Sequence, residues 1–302
     1  MKNILITGAT GFIGKELVIH LLEKGYSVGV LSRRDVNIEG VSSYLWDYEK
    51  KEIDLQALKF ADIIIHLAGA NVGDKRWTKK RKQEILDSRV QTSRLIRQEL
   101  LKNDLSIEAF ISASGIGFYG EGNDQDLTED NLVVTPDFLS NVCVAWEEEA
   151  KKFKSICRVA YIRTGFVVGK YAAGFMKMVK PIAMGFGAPL GSGHQYTSWI
   201  HIQDLVRIYE LVIREENLKG SINATSPFPI TNKEMSMQIA KHLKRAFFMP
   251  SVPRFVLKVI LGEMGNLVLV GNKVIPQKLI KGGFKFDFLN LKDALEEIFP
   301  RK

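Results

Sequence analysis

Three glycines spaced three apart, Gly8, Gly11 and Gly14, stand between an apolar run, Asn3 to Thr7, and a segment that is apolar at Leu17, Val18, Leu21 and Leu22. The first run has the composition of a short strand, the second the period of one helix face, and Gly25 stops it. Glycine allows a tight turn and a close approach of backbone to ligand, and the free N–H groups of a helix start face whatever anion lies there. Strand, glycine turn and helix together suit the pyrophosphate of a dinucleotide. The next strand, Tyr26 to Leu31, runs into Ser32, Arg33 and Arg34. A carboxylate in that place accepts from the 2′-hydroxyl of NAD, whereas arginine accommodates the 2′-phosphate of NADP. Asp35 stands just beyond, but the arginines come first, and Ser32, Arg33 and Arg34 point to NADP (NADPH) over NAD. A charge-assisted hydrogen bond is worth about 1.5–3 kcal/mol, roughly tenfold to a hundredfold in affinity.

Positioning such a turn requires a buried sheet. Val41 to Trp46 reads as a third strand, and the continuously apolar run from Ala61 to Ala70 as a fourth, central one, with His66 packed at its end. Thr78 caps a helix running through Glu84, Ile85, Arg89, Thr92 and Leu95; Ile107 to Ser112 is a fifth strand, and Val159 to Gly169 a further strand and turn. The expected fold is α/β, a doubly wound parallel sheet with helices on both faces, built from about the first 170 residues and a return segment near 199–225.

The 302 residues are 46% hydrophobic and 25% charged, the make-up of an ordinary globular chain with room for one large and one smaller domain. No run approaches the ~18 apolar residues of a membrane span. The glycines and Lys15-Glu16 interrupt the apolar opening too early for a signal peptide. Cys143 and Cys157 have neither metal-ligand nor redox-pair spacing, so reduced core cysteines in a cytoplasmic protein are expected, and no metal. The net charge of +8 is densest from Lys75 to Lys82, where Trp77 interrupts the basic run. A nucleic-acid patch would look like this, but a solvated loop and first helical turn is the favoured reading, with no nucleic-acid function.

The run Thr7-Gly8-Ala9-Thr10-Gly11-Phe12-Ile13-Gly14 has the Gly-x-x-Gly-x-x-Gly spacing, not Gly-x-Gly-x-x-Gly, and resembles the extended and atypical short-chain dehydrogenase/reductases. The resemblance implies a Rossmann fold with cofactor contacts from Gly8, Thr10, Gly11, Phe12, Ile13 and Gly14. It extends them to Leu67, Ala68 and Gly69, which match the strand end lining the cofactor, and to Glu84 and Arg89, which resemble a cofactor-contacting pair of the atypical branch. Ser112 to Gly120 is similar to the family's Ser-Ser-x-x-Val-Tyr-Gly segment, with one extra residue before Tyr119-Gly120; Ser114 is the counterpart of the serine that bonds the substrate oxygen. Val159 to Gly169, with Phe166, resembles the strand and turn beside the nicotinamide. The family's Tyr-x-x-x-Lys pair, in which the lysine charge activates a phenolate base, is absent: its positions fall on Leu139 and Cys143 of the helix that starts near Pro136. By motif position, Ser114, Tyr119 and His194 (on the glycine-rich loop Gly185 to Gln195) are the catalytic candidates; His201 reads as structural.

With Trp199-Ile200-His201-Ile202 and the segments from Lys273 to Phe286, the chain resembles a branch of the NAD(P)-dependent epimerase/dehydratase family described as nucleoside-diphosphate-sugar epimerase-like. The resemblance implies a domain over 1–225 and a family-specific C-terminal domain over 248–296 on the substrate side. It implies an epimerase or oxidoreductase acting on a nucleotide-sugar-like or small carbonyl substrate, as monomer or homodimer. The alternative is a catalytically weak or inactive NADP(H)-binding sensor.

Overall fold

The computed structural model describes residues 2–121, 125–132 and 135–300. In chain order, β1 (Asn3–Thr7), α1 (Phe12–Glu23), β2 (Ser27–Ser32), β3 (Val41–Asp47) and a two-residue β4 (Glu52–Ile53) come first. They are followed by α2 (Leu55–Phe60), β5 (Ile63–His66), α3 (Lys79–Lys102), β6 (Ala109–Gly115), β7 (Asp126–Leu127), α4 (Phe138–Lys151) and β8 (Arg158–Thr164). Next are β9 (Phe166–Val168), α5 (Ala173–Ala183), β10 (Tyr196–Thr197), β11 (Trp199–His201), α6 (Ile202–Arg214) and β12 (Gly220–Ala224). The chain closes with β13 (Ile230–Thr231), α7 (Asn232–His242), α8 (Arg254–Leu261), α9 (Asn266–Leu269), β14 (Lys273–Val274), α10 (Gln277–Lys281) and α11 (Leu291–Ile298).

Among the described residues, one eight-stranded sheet runs β12-β8-β6-β5-β1-β2-β3-β4. Every neighbouring pair is parallel except β3 with β4, an antiparallel edge that the sequence pattern does not announce because it is two residues long. Ile4, Leu5 and Ile6 of β1 and Ile63, Ile64 and Ile65 of β5 are fully buried, as strands covered by helices on both faces must be. The strands up to β4 lie to one side of β1, and β5, β6, β8 and β12 to the other. The switch point is therefore between β1 and β5, in register Ile6 with Ile65 and Thr7 with His66. Ligands of doubly wound sheets bind outside the carboxyl ends of the strands at this point.

Local sequence sets the helices that frame it. Thr78 caps α3 by accepting from Arg81 N, and Asp137 caps α4 in a reciprocal box with Ser140. α1 begins at Phe12, five residues ahead of Leu17 where its apolar period starts, because the glycine turn itself closes into the first helical turn. The C-terminal segment is laid onto the main body: Leu279 of α10 joins the core cluster on one face of the sheet, and Leu291, Leu295 and Ile298 of α11 pack with α5 and α7. The basic run after Lys75 is tied to that segment. Arg76 donates to the Ile260 and Val259 carbonyls at 3.0 and 2.7 Å, Lys82 pairs with Glu263, and Arg81 is buried with its guanidinium on Asn71 and Glu84. No helix among the described residues is long and apolar enough to cross a membrane.

Candidate functional site

The glycine turn follows β1. Gly8 has a φ of +73°, and a β-carbon there would lie 2.8 Å from Ala68 N and from the Leu67 carbonyl carbon, because the turn rests on the chain leaving β5. Gly14 packs still more tightly: a β-carbon would meet Gly8 O at 2.5 Å and Ala9 Cα at 2.6 Å. Gly11 caps α1 without any side-chain hydrogen bond, and the first turn of α1 carries no acidic residue. The helix N-terminus therefore presents unpaired N–H groups and its positive dipole end at the switch point, an anion-binding arrangement. Thr10 is exposed there; Phe12 and Ile13 turn inward, and Phe12 reaches Gly169, where a β-carbon would lie 3.2 Å from its ring.

At the end of β2, Ser32 Oγ donates to the Arg34 carbonyl, which folds the next residues back on themselves. Arg33 and Arg34 are both exposed, and neither forms an ion pair among the described residues. At the end of β5, Leu67, Ala68 and Gly69 leave the sheet beside the glycine turn, with Ala68 N donating to Thr7 Oγ1 at 3.1 Å. Arg89 crosses Gly69 so closely that a β-carbon would lie 2.9 Å from its guanidinium carbon. Its Nη1 donates to Ala70 O at 3.0 Å, and its plane lies 4.8 Å from the Trp146 ring. Burial pushes the Arg89 guanidinium down to about 10, so it keeps its charge at neutral pH. Glu84 is exposed and pairs at 2.8 Å with Arg81, one turn earlier on α3, and not with Arg89.

On the β6 and β8 side the site is built from side chains. Ser114, near the carboxyl end of β6, donates to Glu147 Oε1 of α4 at 2.7 Å. Glu147 is gripped by Arg163 of β8 in two parallel bonds, Nε to Oε1 and Nη2 to Oε2, both 2.8 Å. Ser114, Glu147 and Arg163 are 6%, 7% and 4% exposed. Burial opposes the Arg163 charge, but the Glu147 pair and the Tyr119 oxygen outweigh it and hold the guanidinium above its ordinary value. Arg163 also stacks 3.4 Å over the Phe118 ring and donates to Tyr119 Oη at 3.1 Å.

Tyr119 itself is fully buried, its hydroxyl 2.8 Å from both the Thr128 carbonyl and Asn223 Oδ1, and burial raises its pKa against the pull of Arg163. Cys143, in the position that the missing lysine would take, lies beside Gly115 and Gly117. Burial and then the Glu147 charge push its thiol up to about 11, so it is neutral. Both cysteines are free.

The structure thus joins Ser114 and Tyr119 into one hydrogen-bonded cluster through Glu147 and Arg163. His194 lies outside that cluster. It is exposed on its loop, its N–H bonded to Ser192 Oγ, in a surface hollow with Lys233, Phe247 and Met249. Phe166, on β9, is half-buried and pairs in register with Trp199 of β11. His201 is buried, with Glu297 at 3.2 Å, and no group of three or more His, Cys, Asp or Glu suited to a metal occurs among the described residues. Glu147 and Arg163 lie within the matched motifs but are given no role by them. A charge directly after the apolar run Val159–Ile162 and another on the buried face of a capped helix are the signals that find them, since neither is buried without a partner.

The sequence pattern of the NAD dependent epimerase/dehydratase family matches residues 4–224, and that of a domain of unknown function matches residues 252–298. An epimerase family protein of Bacillus subtilis (strain 168) is 33% identical over 299 residues, covering 98% of this chain and 97% of its own. A crystal structure of the human epimerase family protein SDR39U1 with NADPH superposes with a TM-score of 0.86 at 29% identity, covering 98% of each chain. A nucleoside-diphosphate sugar epimerase of Corynebacterium glutamicum superposes with a TM-score of 0.79 at 26% identity, over 98% of this chain and 58% of that one.

Proposed function

Because the chain belongs to the NAD-dependent epimerase/dehydratase family, we propose that it binds NADP(H) across the switch point and works on an oxygen-bearing carbon of a nucleotide-sugar-like or small carbonyl substrate. The observation that carries the proposal is the pairing of an uncapped, acid-free α1 N-terminus behind the Gly8–Gly14 turn with two unpaired arginines at the end of β2. Backbone N–H groups of the turn hold a pyrophosphate, and Arg33 with Arg34 hold a 2′-phosphate. The similarity to a human protein crystallised with NADPH supports the same choice.

Leu67, Ala68 and Gly69 line the passage from the adenosine side to the nicotinamide side, and Arg89 fixes its wall. When bound, the nicotinamide supplies hydride transfer. Ser114 then holds the substrate oxygen, while Tyr119 is kept from the cleft by its burial. The reading is tested by titrating NADPH and NADH into the protein and into Arg33→Ala. NADPH is expected to bind at least tenfold tighter, with the advantage lost in the variant; equal affinities unchanged by the substitution refute it.

One observation favours a second reading, a cofactor-binding sensor: Leu139 and the neutral Cys143 thiol occupy the tyrosine and lysine positions. A positioned acid or base contributes ~10²–10⁴-fold, so its loss slows turnover without removing cofactor binding. Hydride exchange from labelled NADPH over a panel of nucleotide-sugars and small carbonyl compounds separates the two. Exchange that falls at least tenfold in Ser114→Ala supports the enzyme, and tight NADPH binding with no exchange supports the sensor.

A further inference from the structure

Three buried groups are not called on by the cofactor reading: Glu147, Arg163 and the hydroxyl proton of Ser114. Their bonding has only one self-consistent direction. A carboxylate gripped by arginine at both oxygens accepts at both, so the 2.7 Å bond between Ser114 Oγ and Glu147 Oε1 is donated by the serine. A hydroxyl has one proton, and here it is spent inward, away from anything that approaches the carboxyl end of β6. What Ser114 keeps for a ligand is lone pairs. Exposures of 4–7% for all three residues keep water from competing for the arrangement. The other polar groups around it do not release the proton. Cys143, in hydrogen-bond contact with Ser114, is a neutral thiol whose weak S–H takes at most one of the serine's lone pairs. Arg89 is a donor bonded to Ala70 and Ile85 carbonyls, and Tyr119 is engaged with Thr128, Asn223 and Arg163.

Resting on the NADP(H) reading above, we propose that Glu147 is a positioning residue that makes Ser114 a hydrogen-bond acceptor, so that the substrate group received there is a hydroxyl rather than a carbonyl. A serine with a free proton would donate to a ketone oxygen. This one receives an alcohol O–H, and a ketone placed against it would face lone pair with lone pair, losing a bond and desolvating its oxygen. The substrate class selected in the ground state is therefore an alcohol, such as a sugar ring carbon bearing a free hydroxyl. The position also explains why a carboxylate with both oxygens occupied by Arg163 is tolerated beside the reacting group: its task is to orient a proton, not to remove one.

The polarity is testable without any substrate. In the full chain with Cys143→Ala and Cys157→Ala, Ser114→Cys supplies the sole thiol, whose thiolate absorbance is followed against pH. With Glu147 present the thiol is expected to titrate at least one pH unit above an ordinary cysteine. In Glu147→Gln, with the Arg163 charge uncompensated, the midpoint falls by at least one unit. Glu147→Asp, which keeps the ion pair but withdraws it by a methylene, gives an intermediate midpoint and serves if the glutamine variant fails to fold. Midpoints that agree within 0.3 unit in all backgrounds overturn the proposal.

A second arm keeps Ser114 and compares cyclohexanol with cyclohexanone on the NADPH-loaded protein. The ratio of ketone to alcohol dissociation constants is expected to fall at least fivefold in Glu147→Gln, where the serine proton is released. An unchanged ratio, or no saturable binding of either probe, overturns the hydroxyl preference. Failure of NADPH to bind at all, with the thiol shift intact, removes the cofactor reading and leaves the acceptor polarity of Ser114 supported.

Discussion

At the end of β1 the cleft is made of backbone. Gly8, Gly11 and Gly14 put peptide groups where side chains would be, and a β-carbon at Gly8 or Gly14 would fall within 2.5–2.9 Å of neighbouring main-chain atoms. On the β6 and β8 side it is made of side chains instead, with Ser114, Glu147, Arg163 and Tyr119 bonded in a buried chain whose members come from three separate segments. The first region has no room for an added atom, and the second cannot lose one. Adding on one side and subtracting on the other should therefore damage the protein in opposite ways, the first through the ligand and the second through the fold.

Subtraction has the larger effect. Glu147→Ala leaves Arg163 charged, 4% exposed and without its carboxylate, and breaking a buried pair from one side costs about 3–5 kcal/mol. Urea unfolding measures this as a lower midpoint at unchanged slope. Replacing both partners, Glu147→Leu with Arg163→Met, should recover most of the loss, because the cost is that of the stranded charge. At temperatures where the single variant is still folded, its NADPH affinity should change less than threefold. A single variant within 1 kcal/mol of wild type would mean that the pair is not buried as described.

Addition comes next. Gly8→Ala forces an alanine to a φ of +73° and drives its methyl against Ala68 N and Leu67, a strain of about 1–3 kcal/mol. Relief requires the turn to move off the β5 end, which is where its N–H groups must point. The expected outcome is a loss of NADPH affinity of at least a hundredfold with a stability loss smaller than that of Glu147→Ala. Should the two variants rank the same way in both measurements, the contrast between a backbone-built and a side-chain-built half is wrong.

That contrast also decides what could be read from the chain beforehand. The backbone half is local: a strand, three glycines and a helix within 23 residues, so spacing alone gives the turn, its neighbour Ser32-Arg33-Arg34 and, through strand order, the doubly wound sheet. The side-chain half is not local. Ser114 meets Glu147 across 33 positions and Tyr119 meets Asn223 across 104, distances over which no periodicity carries information. Motif position puts Ser114 near the carboxyl end of β6 but does not reveal that its proton is donated to Glu147, or that Tyr119 is sealed beneath Arg163. Glu84 and Arg89 share a helix and resemble a cofactor-contacting pair, but the sequence does not say that Glu84 pairs with Arg81 one turn earlier or that Arg89 turns to Gly69 and Trp146.

The seam between the halves is His66, and its bonding fixes which nitrogen carries the proton. Thr92 Oγ1 donates to the Ser88 carbonyl at 2.8 Å, so at 3.1 Å it accepts from His66 Nε2. Thr7 Oγ1 accepts from Ala68 N and, at 2.8 Å, donates to His66 Nδ1. A neutral ring thus links the end of β1, the turn after β5 and α3 in one direction of donation, and a second proton on Nδ1 would face the Thr7 hydroxyl proton. Complete burial pushes the ring down to about 3, against an unfolded value near 6.5. Between those values the unfolded chain binds a proton that the folded chain refuses. The contribution is therefore fully present above pH 6.5 and is lost as pH falls, by up to about 1.4 kcal/mol for each unit. Since carboxylates titrate in the same range, the measurement is a difference: urea unfolding at pH 7.5 and 5.5 for wild type and for His66→Gln, whose amide can both donate and accept. Wild type should lose about 1 kcal/mol more than the variant over that interval. An equal loss in both would show that His66 takes up its proton over the same pH range folded and unfolded, so that burial does not hold the ring neutral, and a smaller loss in wild type would show that the folded protein keeps the ring charged.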